Sequence, residues 1–215
     1  MHTYKSTAIP SLEDILQDIP EDLSNLQLPD PGLRNYYNDE SHRIIKLIDN
    51  IADDTIAVIY KIMRYNKEDI GKDISERQPI KIYIDTYGGS VSVMWSIVKA
   101  IKLSKTPVWT INVSNAMSAG AHILAAGHKR FALPGSTVLI HSGSCVYSGT
   151  AEQADQAKKY YDSITKQANE LLLVDTKIDA KMLKKKAPFD WYLSAEEALQ
   201  NGIIDKIVDD FDEII

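Results

Sequence analysis

From Arg43 to Val208, short apolar runs of strand length alternate with amphipathic stretches of helix length. Ile44, Ile45, Leu47 and Ile48 read as a short buried strand. Asp53 and Asp54 then precede a helical stretch with Ile56, Ile59, Tyr60 and Met63 on one face. A polar loop over 67–78 leads to Ile80-Lys-Ile-Tyr-Ile-Asp85, whose apolar residues alternate with period two. Gly88-Gly89 break the chain, and Val93, Met94, Ile97, Val98 and Ile101 mark a second amphipathic helix. Pro107 begins a strand over 108–113, and a tight segment, 114–120, opens a small-residue helix through Ala126. Short strands over 129–133 and 137–141 flank Pro134-Gly135. The longest helix is read over 151–174, where Ala154, Ala157, Tyr161, Ile164, Ala168 and Leu171 are spaced by three and four. A brief extended piece at 190–194 precedes a helix over 195–201 that Gly202 ends. Strands alternating with helices predict an α/β fold with parallel pairing.

A chain of 215 residues suits one domain of ordinary size with an extra segment, and 44% hydrophobic residues can bury a substantial core. The extra segment is at the start. Residues 1–32 hold four of the eight prolines, six acids and one basic residue, Lys5. Leu12, Ile15 and Leu16 can form one amphipathic turn there, but no long periodic element fits between the prolines. The reading is an acidic arm over 1–38, a main domain over 39–210 and a short acidic tail over 211–215. A net charge of −6 argues against a nucleic-acid partner, which would need clustered Lys and Arg. Cys145 is the only cysteine, so intrachain disulfides and multi-cysteine metal sites are excluded, and a reducing compartment fits. Residues 1–10 carry no apolar run behind a basic start, so no signal peptide is expected. The uncharged stretch 106–128 is long enough to span a bilayer, yet Pro107, Asn112, Ser114, Asn115 and Ser118 would be costly in hydrocarbon. Two short buried elements joined by a polar turn explain it better, so no membrane partner and a cytoplasmic location are expected.

The sequence lacks a Gly-x-x-x-x-Gly-Lys-Ser/Thr phosphate loop, a His-Glu-x-x-His pair and a spaced Cys/His ligand set. Neither nucleotide hydrolysis nor metal chemistry is therefore expected within this chain, and the site is read without cofactor or metal. In Asn115-Ala-Met-Ser-Ala-Gly-Ala121 a serine stands at a strand-to-helix turn among residues too small to shield it. Such a turn exposes the hydroxyl and aims N–H groups of the new helix at whatever it attacks. Acyl transfer needs fixed donors for its tetrahedral oxyanion, and Gly88-Gly89 on the neighbouring strand can bring another backbone N–H close. Taken alone, small residues at a turn are more often packing than catalysis. A serine also needs a base. His2 lies in the arm, His42 precedes the first strand, and His122 and His128 flank the small helix. His141 ends an apolar strand, where parallel-sheet enzymes place active-site groups. The carboxylate that would orient it is not singled out by chemistry alone.

Several motifs in one order carry a resemblance. Tyr83-Ile-Asp-Thr-Tyr-Gly-Gly89, Asn115-Ala-Met-Ser-Ala-Gly-Ala-His-Ile-Leu-Ala-Ala-Gly127, Arg130-Phe-Ala-Leu-Pro134, Val138-Leu-Ile-His141, Leu193-Ser-Ala-Glu-Glu-Ala198 and Asn201-Gly-Ile-Ile-Asp-Lys-Ile-Val208 resemble the Clp protease proteolytic subunit nearly in register. The resemblance implies a Clp/crotonase-type spiral of repeated ββα units, with the long helix as a protruding handle. It implies Ser118 as nucleophile, His141 as general base and Asp190 as the third member of a triad. It further implies that the backbone N–H groups of Gly89 and Ala119 form the oxyanion hole. The activity implied is serine endopeptidase action on unfolded proteins or peptides, inside a chamber of heptameric or stacked rings. The implied partners are further copies of the chain and a Clp-type ATPase, and any ATP would be used by that unfoldase alone. The sequence departs from the family at Thr86-Tyr87 before the double glycine, at Ser142-Gly143 after His141, and at Phe189 and Trp191 beside Asp190. Rival readings are an accessory or phage-type processing peptidase without an ATPase, a Ser/Lys peptidase, a non-catalytic ring component, and a crotonase-like acyl-CoA enzyme.

Overall fold

The computed structural model of the protein describes residues 30–143 and 146–215. The turn expected around Leu12, Ile15 and Leu16 lies outside the described residues, as does Cys145. The chain divides into two compact units, Met1–Asn38 and Asp39–Ile215. The first ends within helix α1 (Pro31–Ser41), an element the sequence reading did not anticipate, since the segment lacks an apolar stripe. Pro31 suits a first helical position because it has no N–H to leave unpaired, and the Asp30 carboxylate accepts the Gly32 N–H at 2.8 Å.

The second unit is built on a seven-stranded sheet: β1 (Ile44–Ile51), β2 (Ile80–Gly89), β3 (Val108–Met117), β4 (Lys129–Ala132), β5 (Thr137–Ile140), β6 (Trp191–Ser194) and β7 (Lys206–Ile207). The helices around it are α2 (Ala57–Glu68), α3 (Val91–Leu103), α4 (Ala119–Ala126), α5 (Ala151–Asp175), α6 (Ala180–Lys186) and α7 (Ala195–Gln200). The expected α/β architecture is present, with β1, β2, β3, β4 and β7 parallel in that order. β3 is longer than its apolar run suggests. One of its edges pairs first with β4, through Trp109–Asn112, and then with β5, from Asn115 to Met117. The polar residues at that changeover are satisfied locally, because Asp85 Oδ1 accepts both the Asn115 backbone N–H and its side-chain amide at 3.2 Å. The one departure from parallel pairing is β6, which runs antiparallel along the outer edge of β5, a frequent ending for a parallel sheet.

Burial explains the period-two reading of β2. Ile80, Ile82 and Ile84 pack with Met94, Ile97 and Ile101 of α3 and with α4, all eight of whose residues are buried. Each such isoleucine contributes about 1.5–3 kcal/mol on burial. Tyr83, Trp109, Ile111 and Phe131 make a second cluster on the opposite face with Val208 and Ile214. The last residues pack back there, and the Tyr83 hydroxyl donates to the Ile214 carbonyl at 2.9 Å. The uncharged stretch 106–128 is thus a strand followed by a short helix, and no described helix is long and apolar enough to cross a membrane. α5 buries only Ala168 and Leu172 fully, with Ala154, Ala157, Tyr161 and Ile164 partly covered along the expected seam. α6 was missed because Lys184, Lys185 and Lys186 mask a helix that buries Leu183 alone.

One ion pair ties the start of β1 to the end of α2. Arg43 Nη1 and Nη2 donate to Asp69 Oδ2 and Oδ1 at 2.5 and 3.0 Å, and Thr106 and Lys72 donate to the same carboxylate at 3.0 and 2.8 Å. The Asp69 side chain is wholly buried. The Arg43 guanidinium, then Lys72 and Thr106, hold its carboxyl well below the usual carboxylate range. Removing one charge from such a pair strands the other in the interior. Asp69→Asn is therefore expected to lower unfolding free energy by about 3–5 kcal/mol in urea titration. Because the folded-state pKa is depressed, the wild-type advantage is complete above about pH 4 and declines as the pH falls further.

Candidate active site

Sheet register alone brings three distant residues together. Met117 pairs with Leu139 in the β3–β5 ladder, and the next residue, Ser118, donates its backbone N–H to the Leu139 carbonyl at 2.9 Å. Ile140 pairs with Trp191 in the β5–β6 ladder, so His141 and Asp190 flank the last bridge on adjoining strands. The result is His141 Nε2 at 2.8 Å from Ser118 Oγ, and His141 Nδ1 at 3.4 Å from Asp190 Oδ1. Ser118, His141 and Asp190, separate in sequence, form one line of side chains.

Ser118 stands at φ 53° and ψ −117°, in the left-handed half of backbone space that an L-residue seldom occupies. It is the residue before α4, a position where serine usually caps a helix with its side chain. Here the hydroxyl makes no cap bond and is directed to His141 instead. The Ala119 N–H is among the first amides of α4 and so has no partner within its own helix. Gly88 backs onto the same turn. A Cβ there would lie 2.7 Å from Ser118 Cβ and 2.9 Å from the Met117 carbonyl, so only glycine allows the approach. Gly89 follows at the end of β2, with Ile51 of β1 against its other side.

The segment after His141 is held from two directions. The Ser142 N–H and hydroxyl both reach the Ala187 carbonyl, at 2.7 and 2.9 Å, and the Tyr161 hydroxyl of α5 donates to the Ser142 carbonyl at 3.1 Å. Gly143 stands at φ 77°, which favours glycine, and a Cβ there would overlap the Tyr161 hydroxyl and displace it from its hydrogen bond. Asp190 is less enclosed: its side chain is 58% exposed, against 25% for His141.

The other described histidines take different positions. His42 Nδ1 is 3.1 Å from the Ser41 hydroxyl at the end of α1. His128 Nδ1 accepts the Val108 N–H at 2.9 Å, and burial lowers its pKa. His122 is within the site. Its Nδ1 lies 3.0 Å from the Ser118 carbonyl, and its ring lines a cavity of about 40 Å³ that Ser118 and His141 also line. The sequence reading passed over it, because one histidine in an apolar helix gives no signal of what its ring faces. A larger groove of about 730 Å³, lined by Ile59, Met63, Ile70 and Leu103, contains none of these groups.

With the site's geometry established, comparison with known families is decisive. The Clp protease family profile matches residues 35–211. The chain belongs to the Clp protease family. Membership supports a serine peptidase of the Clp kind and accords with the mixed α/β fold on its mostly parallel sheet. For this Clp-family chain the Gly88 contact gives a direct test of the serine turn. Gly88→Ala is expected to slow fluorophosphonate labelling of Ser118 by about 10²-fold, the usual consequence of an ångström-scale displacement of a reacting group. Circular dichroism of the same sample should show the sheet intact.

Proposed function

We propose that this chain hydrolyses peptide bonds of unfolded proteins or peptides through Ser118, His141 and Asp190. The observation that carries the reading is the 2.8 Å approach of His141 Nε2 to a serine hydroxyl that makes no cap bond. In the first step Ser118 Oγ attacks the scissile carbonyl carbon while Nε2 takes the hydroxyl proton. Asp190, beside Nδ1, favours the tautomer with its proton on Nδ1 and stabilises the imidazolium that forms. The oxyanion is met by the N–H groups of Ala119 and Gly89, donors fixed by a helix start and a strand end. The imidazolium then gives its proton to the leaving amine, and water, activated by the same ring, releases the acyl group from Ser118. A base of imidazole type on Ser118 favours this reading over a Ser/Lys pair, and over an acyl-CoA enzyme, which needs no nucleophilic serine.

The chain is further proposed to work as a ring component, with α5 as a handle between subunits and a Clp-type ATPase as the source of unfolded substrate. Family membership supports this, together with a 25-residue helix that buries only two residues fully in its own unit. ATP would act on the partner, and this chain would use no cofactor of its own. A cytoplasmic location accords with that pairing.

Ser118→Ala and His141→Ala are each expected to reduce peptide hydrolysis by about 10⁴-fold or more. Asp190→Asn should cost less, roughly 10²–10⁴-fold, because an exposed carboxylate at 3.4 Å holds the ring less firmly. Single-turnover assays on one peptide compare the three, and an undiminished rate in His141→Ala would end the proposed mechanism. Native mass spectrometry should give seven copies or a multiple, whereas a stable monomer would refute the ring.

A further inference from the structure

His122 is the buried polar group at this site that the proposed triad leaves unused. It lies four residues after Ser118 in α4, is 6% exposed, and is the one polar side chain of a helix otherwise made of Ala, Gly, Ile and Leu. A carbonyl oxygen only accepts, so in the 3.0 Å contact with the Ser118 carbonyl Nδ1 is the donor. Burial above all lowers the His122 pKa, and the nearby His141 adds to this, so the ring is neutral and Nδ1 holds its single proton. Nε2 is then a buried acceptor with no partner among the described residues, a cost that an apolar side chain here would not carry. Among the described residues, the Nδ1 bond is the ring's one polar contact.

The carbonyl that the ring holds belongs to the peptide unit that also carries the Ala119 N–H. A trans peptide is planar, with its oxygen and its amide hydrogen on opposite edges, so fixing the oxygen fixes the direction of the hydrogen. The cap carbonyls of α3, α5 and α6 accept the backbone N–H of the residue four positions on, from Met94, Ala154 and Leu183 at 3.0, 2.9 and 2.9 Å. The Ser118 carbonyl accepts the Ala121 N–H, three positions on, at 3.0 Å, and from the fourth position it accepts the His122 ring. This first turn starts from Ser118 at φ 53° and ψ −117°, a conformation that nothing in a serine favours. The nitrogen of the same unit lies on the Gly88 side, 3.2 Å from where a Cβ there would sit. One peptide plane thus stands between β2 and the His122 ring.

We propose that His122 is a positioning residue, which holds the Ser118–Ala119 peptide plane so that the Ala119 N–H meets the oxyanion formed when Ser118 attacks. That role rests on Ser118 as nucleophile and Ala119 as oxyanion donor. Its loss should fall on kcat, because the oxyanion forms only towards the transition state. In the full-length protein His122→Leu, an apolar replacement suited to this helix, is expected to lower kcat for a peptide by about 10–100-fold with KM within about twofold. A peptide aldehyde, whose hemiacetal oxygen takes the oxyanion's place, should bind more weakly by a similar factor. His122→Asn should recover most of both, since asparagine amides already donate to the carbonyl four residues back at Asn66 and Asn201, at 2.9 and 2.7 Å. A kcat in His122→Leu within about threefold of wild type overturns the proposal, as does equal loss in the two variants. If the leucine variant does not fold, the wild-type protein decides. There 15N NMR of the histidines should show one ring that stays neutral with its proton on Nδ1 from about pH 5 to 8, whereas His128, which accepts the Val108 N–H, carries its proton on Nε2. Absence of that Nδ1-protonated ring overturns the proposal as well. Fluorophosphonate labelling separates the two levels. Labelled Ser118 with an unimpaired leucine variant rejects the His122 role alone, while unlabelled Ser118 in folded wild-type protein rejects the serine mechanism and this role with it.

Discussion

The hydrogen bonds that β3 shares first with β4 and then with β5 are the constraint on which the site depends. A strand that changes partner along one edge frees its C-terminal end to approach a second strand, and Ser118 comes directly after that end. β5 in turn is paired on both sides, to β3 in parallel and to β6 in antiparallel fashion. Side chains alternate faces along a strand, so a slip of one residue would turn His141 away from Ser118. Four-residue strands would be weak guides in isolation. Here Val138 and Ile140 of β5 and Leu193 of β6 are buried in the main core, which fixes the register.

Polar groups in the unit follow two patterns. At Asp69 every donor needed to balance a buried carboxylate is present, and the group joins β1, α2 and the approach to β3. Arg130 plays a similar part further on: it donates to both oxygens of Asp205 and to the carbonyls of Asp175 and Gly202, joining β4 to the ends of α5 and α7. Around Ser118 the polar groups are less completely matched. The serine hydroxyl makes no cap bond, Asp190 is largely open to solvent, and His122 keeps a bare nitrogen.

Much of this was legible in the sequence because periodicity reports burial. The isoleucines at 80, 82 and 84 and the apolar positions of α3 gave strand and helix directly. Ser118 and His141 were legible through their places at strand ends. Asp190 was not, except by family resemblance, because it reaches His141 through an antiparallel strand that follows two helices. Local signals misled at Ser114 and Asn115, whose polarity suggested a turn although Asp85 satisfies Asn115 within β3. In α1 and α6, capping and a single buried leucine, respectively, replaced the apolar stripe that makes a helix visible. His122 shows the limit most plainly, since an orphaned nitrogen is a property of three-dimensional surroundings.

The contact between Gly143 and Tyr161 bears on how the site keeps time with the rest of the molecule. Tyr161 belongs to a helix that is largely exposed along its length, and its hydroxyl holds the carbonyl of the residue that follows His141. Bending or rotation of that helix would act first on the Ser142 carbonyl, one residue beyond the imidazole. Helix motions of this kind fall in the microsecond-to-millisecond range, slower than rotamer exchange of an exposed side chain. The placement of the residue after His141 therefore depends on where α5 lies, through the Tyr161 hydroxyl.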